Sequence, residues 1–228
     1  MPNGPDIAAR LADVRTRIAN AASRARRAEG SVRLVLASKT QPAEAIAAAY
    51  HAGAREFGEN YVQEAGSKRA GLAAMGDIRW HLIGHLQTNK ARAAIEMFDL
   101  IQTLDSARLA SALHRLRPAP PMAVLIEVNL AGEASKNGVA AEAAEALVEA
   151  VRGKVEVQGL MTVPPIAEDP EATRPYFARL RELRDRLAAA TGLTLSELSM
   201  GMTNDYEVAI EEGATIVRVG RAVFGERR

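Results

Sequence analysis

The feature that most narrows the folds open to this chain is a regular exchange of short apolar runs with helical patterns along nearly its whole length. Runs of strand character at 33–38, 54–58, 78–83, 100–104, 122–129, 155–162, 194–199 and 215–219 are each separated from the next by a segment of helical apolar recurrence. Those helical segments cover 42–51, 61–75, 88–97, 106–116, 140–152, 171–191 and 205–212. Such alternation implies parallel strands joined by right-handed crossovers. Eight units of this kind predict an α/β fold closed into a single (β/α)8 TIM-type barrel, with a doubly wound open sheet as the alternative. Only nine residues follow the last strand, too few for a full closing helix. A leading helix over Asp6–Glu29, carrying Ile7, Leu11, Val14 and Ile18 on one face and stopped by Gly30, would take that place in the outer ring. Residues 1–228 therefore read as one domain, with 1–29 an extra N-terminal helix packed on the barrel.

Composition excludes several classes of function. A net charge of +1 gives no electrostatic footprint for nucleic acid or for a membrane surface. The absence of cysteine removes disulfides, thiolate metal sites and thiol catalysis. The opening Met1-Pro2-Asn3-Gly4-Pro5-Asp6 lacks the layout of a signal peptide, and no apolar run reaches the ~20 residues that span a bilayer. A cytoplasmic location is the expectation.

Chemistry in such a fold sits at the carboxyl ends of the strands. There the first strand, Leu34-Val35-Leu36-Ala37-Ser38, runs into Lys39, and Pro42 opens the next helix. A lysine at that place either reaches solvent along its apolar stem or, neutralised, serves as a nucleophile toward an aldehyde. The seventh strand leads into Ser199-Met200-Gly201-Met202-Thr203-Asn204, where Asn204 and Glu207 have the spacing of a capping box. The eighth leads into Gly220-Arg221, where the glycine would let backbone approach a ligand. Barrels bind phosphate at these two strand ends, through backbone N–H groups and hydroxyls such as those of Ser199 and Thr203; ordinary caps and turns are the alternative. Arg218 interrupts the apolar Ile216-Val217-Arg218-Val219 and needs either a carboxylate or a ligand as partner.

Other polar positions carry less. His81 and His85 stand four apart at a strand end, where residues i and i+4 do not align for a metal. Glu127 and Asn129 make one face of the fifth strand polar near the mouth. Gly132–Gly138 reads as a polar loop in which Lys136 is most simply a solvated charge. Arg24, Arg26 and Arg27 suit the end of the first helix.

Five blocks in this order carry a resemblance. They are Ala37-Ser38-Lys39-Thr40, Phe57-Gly58-Glu59-Asn60-Tyr61-Val62-Gln63-Glu64, His81-Leu82-Ile83-Gly84-His85-Leu86-Gln87, Leu198-Ser199-Met200-Gly201-Met202-Thr203 and Val217-Arg218-Val219-Gly220-Arg221. Over residues 30 to 228 the chain resembles the YggS/PROSC-type pyridoxal phosphate homeostasis proteins, which share the barrel of the alanine racemase N-terminal domain. The resemblance implies pyridoxal 5'-phosphate (PLP) as cofactor, held by Lys39 as a covalent aldimine, with Arg218 against the pyridine nitrogen and Asn60 near the ring. It places the phosphate on Ser199, Met200, Thr203, Gly220 and Arg221; Thr203 stands where the family has serine and keeps the hydroxyl.

An arginine donating to the pyridine nitrogen leaves that nitrogen unprotonated and the ring a weak electron sink. Racemization also needs a base on each face of the cofactor. Racemases of this barrel type take the second base from a β domain of the partner subunit, for which a chain ending at Arg228 has no residues. The expectation is a monomeric carrier or buffer of PLP without robust catalysis, PLP-dependent apoenzymes being the recipients. A PLP-dependent amino-acid racemase is the alternative, and a cofactor-free Schiff-base aldolase a third.

Overall fold

The computed structural model describes residues 4–117, 119–133 and 136–225. Met1–Asn3, Pro118, Ala134, Ser135 and the last three residues through Arg228, on some of which the readings of the amino terminus and of the polar loop fall, lie outside the described residues.

The strands are β1 (Arg33–Ala37), β2 (Glu56–Glu59), β3 (Arg79–Leu82), β4 (Leu100–Leu104), β5 (Ala123–Asn129), β6 (Val139–Ala140), β7 (Glu156–Met161), β8 (Glu197–Ser199) and β9 (Ile216–Val219). All pairings are parallel. β1 pairs with β2 on one side and β9 on the other, and the β4–β5 pairing closes the ring. The eight expected strands thus form one closed barrel. The two-residue β6, which adds to β5 outside the ring, is too short to show any period in the sequence.

Successive side chains point to opposite faces, so each strand serves two cores. Val35, Leu100, Leu125, Met161 and Ile216 fill the barrel interior. Their neighbours, among them Leu36, Ile101, Ile126, Leu160 and Val217, face the helical layer. Burial on both faces explains why the strands read as nearly continuous apolar runs.

The helices are α1 (Gly4–Arg24), α2 (Ala43–His51), α3 (Val62–Gly71), α4 (Ala91–Met97), α5 (Ala107–Leu116), α6 (Ala144–Val151), α7 (Arg174–Thr191), α8 (Tyr206–Glu211) and α9 (Arg221–Phe224). Short 3-10 turns at 88–90, 141–143 and 170–173 lead into α4, α6 and α7. Among the described residues no helix is long and apolar enough to cross a membrane.

α1 packs against α2, α8 and α9 and occupies the expected place in the outer ring. Ile7, Leu11 and Val14 are each about 1 % exposed on its inner face. Arg17 and Arg24 bridge to Glu207, and Arg24 also to Glu211, on α8. The helix ends at Arg24, well short of Glu29 and Gly30: Arg26 turns left-handed at φ 55°, and Arg27 donates to the carbonyls of Ile210 and Ala214. Closing hydrogen bonds from Arg26 N to Ser23 O and Arg27 N to Ala22 O satisfy the final carbonyls. The last turn is given up to dock the guanidinium.

If α1 belongs to the barrel's cooperative unit, Leu11→Ala should lower the unfolding free energy by about 2–4 kcal/mol in chemical denaturation. A loss well under 1 kcal/mol, or a separate early transition, would mean that α1 is held apart from the core.

Candidate functional site

At the carboxyl ends of the strands lies a cavity of about 490 Å³, lined among others by Lys39, Asn60, Thr203, Arg218, Gly220 and Arg221. Four separate strand ends bring these residues together: β1, β2, β8 and β9. Ser199 and Met200 do not line it. Ser199 faces into the barrel, where its hydroxyl accepts from Arg218 Nη1 at 2.5 Å and donates to Gln102 Oε1 at 2.6 Å. Met200 packs its side chain in the outer core and donates its amide to Ile216 O.

The segment bearing Lys39 is held by buried charge. β1 ends at Ala37, and Lys39 follows two residues later, half-buried on the cavity wall. Behind it, Lys68 of α3 donates to Ser38 O, Glu59 Oε1 and Glu64 Oε1 at 2.7–2.8 Å. Ser38 Oγ donates to the same Glu59 oxygen at 2.6 Å, and the Thr40 amide donates to Glu64. Thr40 takes φ 65°, a left-handed conformation costly for a β-branched residue, and these bonds hold it there. Burial lifts the Glu59 carboxyl above its ordinary range, against the opposing pull of Lys68 and Ser38.

Two glycines are fixed by close approach. A Cβ on Gly220 would lie 2.9 Å from Ala37 O, so the glycine lets β9 run close beside the end of β1, next to Lys39. That is a packing reason in addition to its place on the cavity wall. A Cβ on Gly84 would lie 2.3 Å from Asn60 O, so Gly84 makes room for the Asn60 backbone. Beyond Gly220, Arg221 Nη2 donates to Asn204 Oδ1 at 3.1 Å, which links the turns after β8 and β9.

Arg218 is buried, with Nη1 on Ser199 and Nη2 donating to Thr162 O at 2.9 Å. Burial lowers its pKa to about 10, opposed by Glu127 and Asp205, which leaves it cationic at neutral pH. Glu127, on the interior face of β5 as its alternation with Leu125 implied, has one buried carboxyl oxygen, Oε2, without a hydrogen-bond partner. Burial, with a smaller push from Asp105, raises its pKa to about 7 despite the attraction of Arg218.

The remaining polar positions find local partners. His81 Nδ1 meets Gln102 inside the barrel, whereas His85 pairs with Asp105 at 3.2 Å. Among the described residues no group of three or more His, Asp or Glu is placed to hold a metal. Asn129 holds the polar loop by its side chain, through Glu133 O and the Gly132 amide, and Lys136 pairs with Glu133. The expected capping box is absent. Asp205, not Asn204, precedes α8, its carboxylate accepts from the Met202 amide, and Glu207 is drawn away to Arg17 and Arg24. Sequence reasoning missed the loop after β7, where Val163, Pro165, Ile166 and Ala167 form an apolar side of the cavity. Its only signal was the Pro164-Pro165 break after a polar Thr162.

A parallel barrel whose carboxyl-end cavity sets a strand-end lysine beside a buried arginine and a hydroxyl-and-glycine wall defines the class. The chain's residues 10–228 match the family described as alanine racemase, N-terminal domain. The pyridoxal phosphate homeostasis protein of Aquifex aeolicus is 47% identical over 223 residues, covering 96% of this chain and 97% of that one. That of Pseudomonas aeruginosa is 46% identical over 225 residues, covering 97% and 96%. Among solved structures, PipY of Synechococcus elongatus with PLP bound superposes with a TM-score of 0.84 at 38% identity, covering 96% of this chain and all of that one. The chain belongs to the pyridoxal phosphate homeostasis protein family.

Glu127 sets a pH dependence. Its folded-state pKa of about 7 lies above the ordinary 4.5, so the folded protein binds the proton more tightly and loses stability as pH rises through that window. In cofactor-free protein, Glu127→Gln should therefore gain on the parent from about pH 4.5 to about pH 7 and hold a constant advantage above it. Parallel stability curves for the two proteins across that window would contradict the assignment.

Proposed function

We propose that this protein binds pyridoxal 5'-phosphate as a Schiff base on Lys39 and works in PLP homeostasis as a carrier or buffer. The observation that carries the reading is the meeting of Lys39, Arg218 and the Thr203, Gly220 and Arg221 wall around one cavity of about 490 Å³. That volume suits a small cofactor. Its chemistry suits PLP: an amine for the aldehyde, a buried donor for the ring nitrogen, and a hydroxyl with a cation for the phosphate. Within this reading Thr203, Gly220 and Arg221 hold the phosphate, and Asn60 lies along the ring. Ser199 serves the ring end through Arg218, and Met200 supports the turn from behind. When bound, the cofactor supplies an aldehyde carbon and a conjugated ring.

The residues around that ring favour retention over turnover. Arg218 stays cationic at neutral pH and can only donate, so it stabilises an unprotonated pyridine nitrogen. Among the described residues lining the cavity there is no tyrosine or histidine to act as a second base, and the Asp205 carboxylate is engaged by the Met202 amide. In this reading the protein acts as a monomer in the cytoplasm, taking up the reactive aldehyde and releasing it to PLP-dependent apoenzymes.

Purified protein supplied with PLP should show a visible absorbance band that borohydride abolishes, with an intact-mass gain of one reduced cofactor. Lys39→Ala should bind none covalently, and a persisting adduct on another lysine would count against Lys39. Arg218→Ala should shift the absorbance spectrum of the bound cofactor; an unchanged spectrum and affinity would make Arg218 purely structural. Rapid Lys39-dependent exchange of the α-proton of L-alanine in deuterated water would overturn the carrier reading in favour of a racemase.

A further inference from the structure

The barrel interior contains a polar thread of which the cofactor reading uses only Arg218 and Ser199. It starts at Arg218 on β9 and continues through Ser199 on β8 to Gln102 on β4. Gln102 Nε2 then meets His81 Nδ1 on β3 at 2.9 Å. His81 Nε2 lies 3.1 Å from Glu56 Oε2 on β2, without the alignment of a full hydrogen bond. Glu56 in turn lies 3.5 Å from Arg33 on β1, and Arg33 bridges to Glu197 at 3.0 Å. Ser199 and Gln102 are fully buried and His81 is about 1 % exposed. Neither Gln102 nor His81 lines the cavity.

The direction of donation along the thread is fixed by its ends. A guanidinium can only donate, so Ser199 accepts from Arg218 and passes its own hydrogen to Gln102 Oε1. That leaves the Gln102 amide nitrogen facing His81, whose Nδ1 must accept. The ring proton then sits on Nε2, toward the Glu56 carboxylate. Burial alone would raise the Glu56 carboxyl, but His81 and the nearby Arg33 and Arg79 outweigh it and hold the group below its ordinary range. The hydrogen bonds from Arg218 through Ser199 and Gln102 to His81 thus all point the same way, and the His81–Glu56 approach beyond them falls short of a hydrogen bond. A polar thread inside an otherwise apolar barrel is costly where a member goes unsatisfied; here the hydrogen-bonded stretch is the one that ends on the cation facing the cavity, and the atoms without a partner, His81 Nε2 and Glu56 Oε2, stand at its other end.

We infer that Gln102 and His81 are positioning residues for the cofactor: through Ser199 they hold the Arg218 guanidinium in the orientation in which it faces the pyridine nitrogen. The inference rests on the proposed PLP site. It assigns these residues no contact with the cofactor. Gln102 keeps the Ser199 hydroxyl turned to accept from Arg218, and His81 keeps the Gln102 amide from flipping. Thr162 O fixes the other nitrogen, so the guanidinium plane is set from two sides.

The test uses full-length protein loaded with PLP labelled with ¹⁵N in the pyridine ring. The readouts are the nitrogen chemical shift, the absorbance spectrum and the cofactor dissociation constant. Gln102→Met, similar in shape and unable to hydrogen-bond, should move the nitrogen signal and weaken binding by up to about tenfold, the upper scale of one hydrogen bond between neutral groups. His81→Asn keeps an acceptor near the place of Nδ1 and should restore most of what His81→Phe loses. A melting temperature that falls while nitrogen shift, spectrum and affinity stay at parental values would overturn the inference and leave the thread structural. If Gln102→Met does not fold, Ser199→Ala carries the same expectation and the same contrary result. If the parent protein itself takes up no PLP on Lys39, the proposed function fails first and the inference with it. A parental cofactor signal that Gln102→Met leaves unchanged sinks the inference alone.

Discussion

A guanidinium sealed inside a parallel barrel must be answered by acceptors on every side that water cannot reach. Arg218 is such a group, and much of the barrel's interior is arranged around it. Its two terminal nitrogens are taken by Ser199 Oγ and Thr162 O, from strand β8 and the end of β7. Glu127 and Asp205 supply opposite charge without a direct hydrogen bond to it. An unpaired buried charge costs several kcal/mol, so none of these partners is incidental. The same requirement explains why Ser199 stands where a barrel of this type is usually packed with a branched apolar side chain, and Gln102 and His81 continue from it across the interior.

A second charged cluster does for the amine what the first does for the guanidinium. Lys68 and Glu59, both almost inaccessible, tie the ends of β1 and β2 together, and Glu64, paired with Lys68, accepts from the amide of Thr40 in its left-handed turn. Lys39 leaves the strand at that turn. The Lys39 end and the Arg218 end of the cavity are therefore held by separate networks on rigid elements, and their separation is set by the β1–β9 pairing and by the close pass of Gly220 over Ala37 O. Preorganisation of this kind favours tight holding of one small molecule.

Much of this was legible in the sequence, for identifiable reasons. The eight barrel strands were readable because burial on two faces leaves largely apolar runs, broken by few polar residues and bounded by glycine and proline. Lys39 and Arg218 stood out because a charge in or after such a run demands an explanation. The same signal was present in Leu100-Ile101-Gln102-Thr103-Leu104, where a polar side chain interrupts an apolar strand, yet its meaning depended on which strand lies across the barrel. Strands that meet by side chains across the interior, such as β8 and β4, are nearly a hundred residues apart, and spacing along the chain cannot show their contact. Local rules failed where tertiary contacts overrode them. Glu207 serves α1 and not a capping box, and Arg27 abandons the helix for two carbonyls. Ser199, read as a phosphate hydroxyl, has its oxygen committed inside the barrel.

The account depends on one geometric statement: a single small molecule spans from Lys39 to Arg218 with its anionic end on the Thr203, Gly220 and Arg221 wall. A crystal structure of the protein grown with PLP tests it most directly. The account predicts continuous density from Lys39 Nζ to the cofactor's aldehyde carbon, the ring nitrogen facing the Arg218 guanidinium, and the phosphate between the turns after β8 and β9. Cofactor bound elsewhere, or seated in this cavity with its phosphate toward Arg218 and its aldehyde away from Lys39, would contradict it.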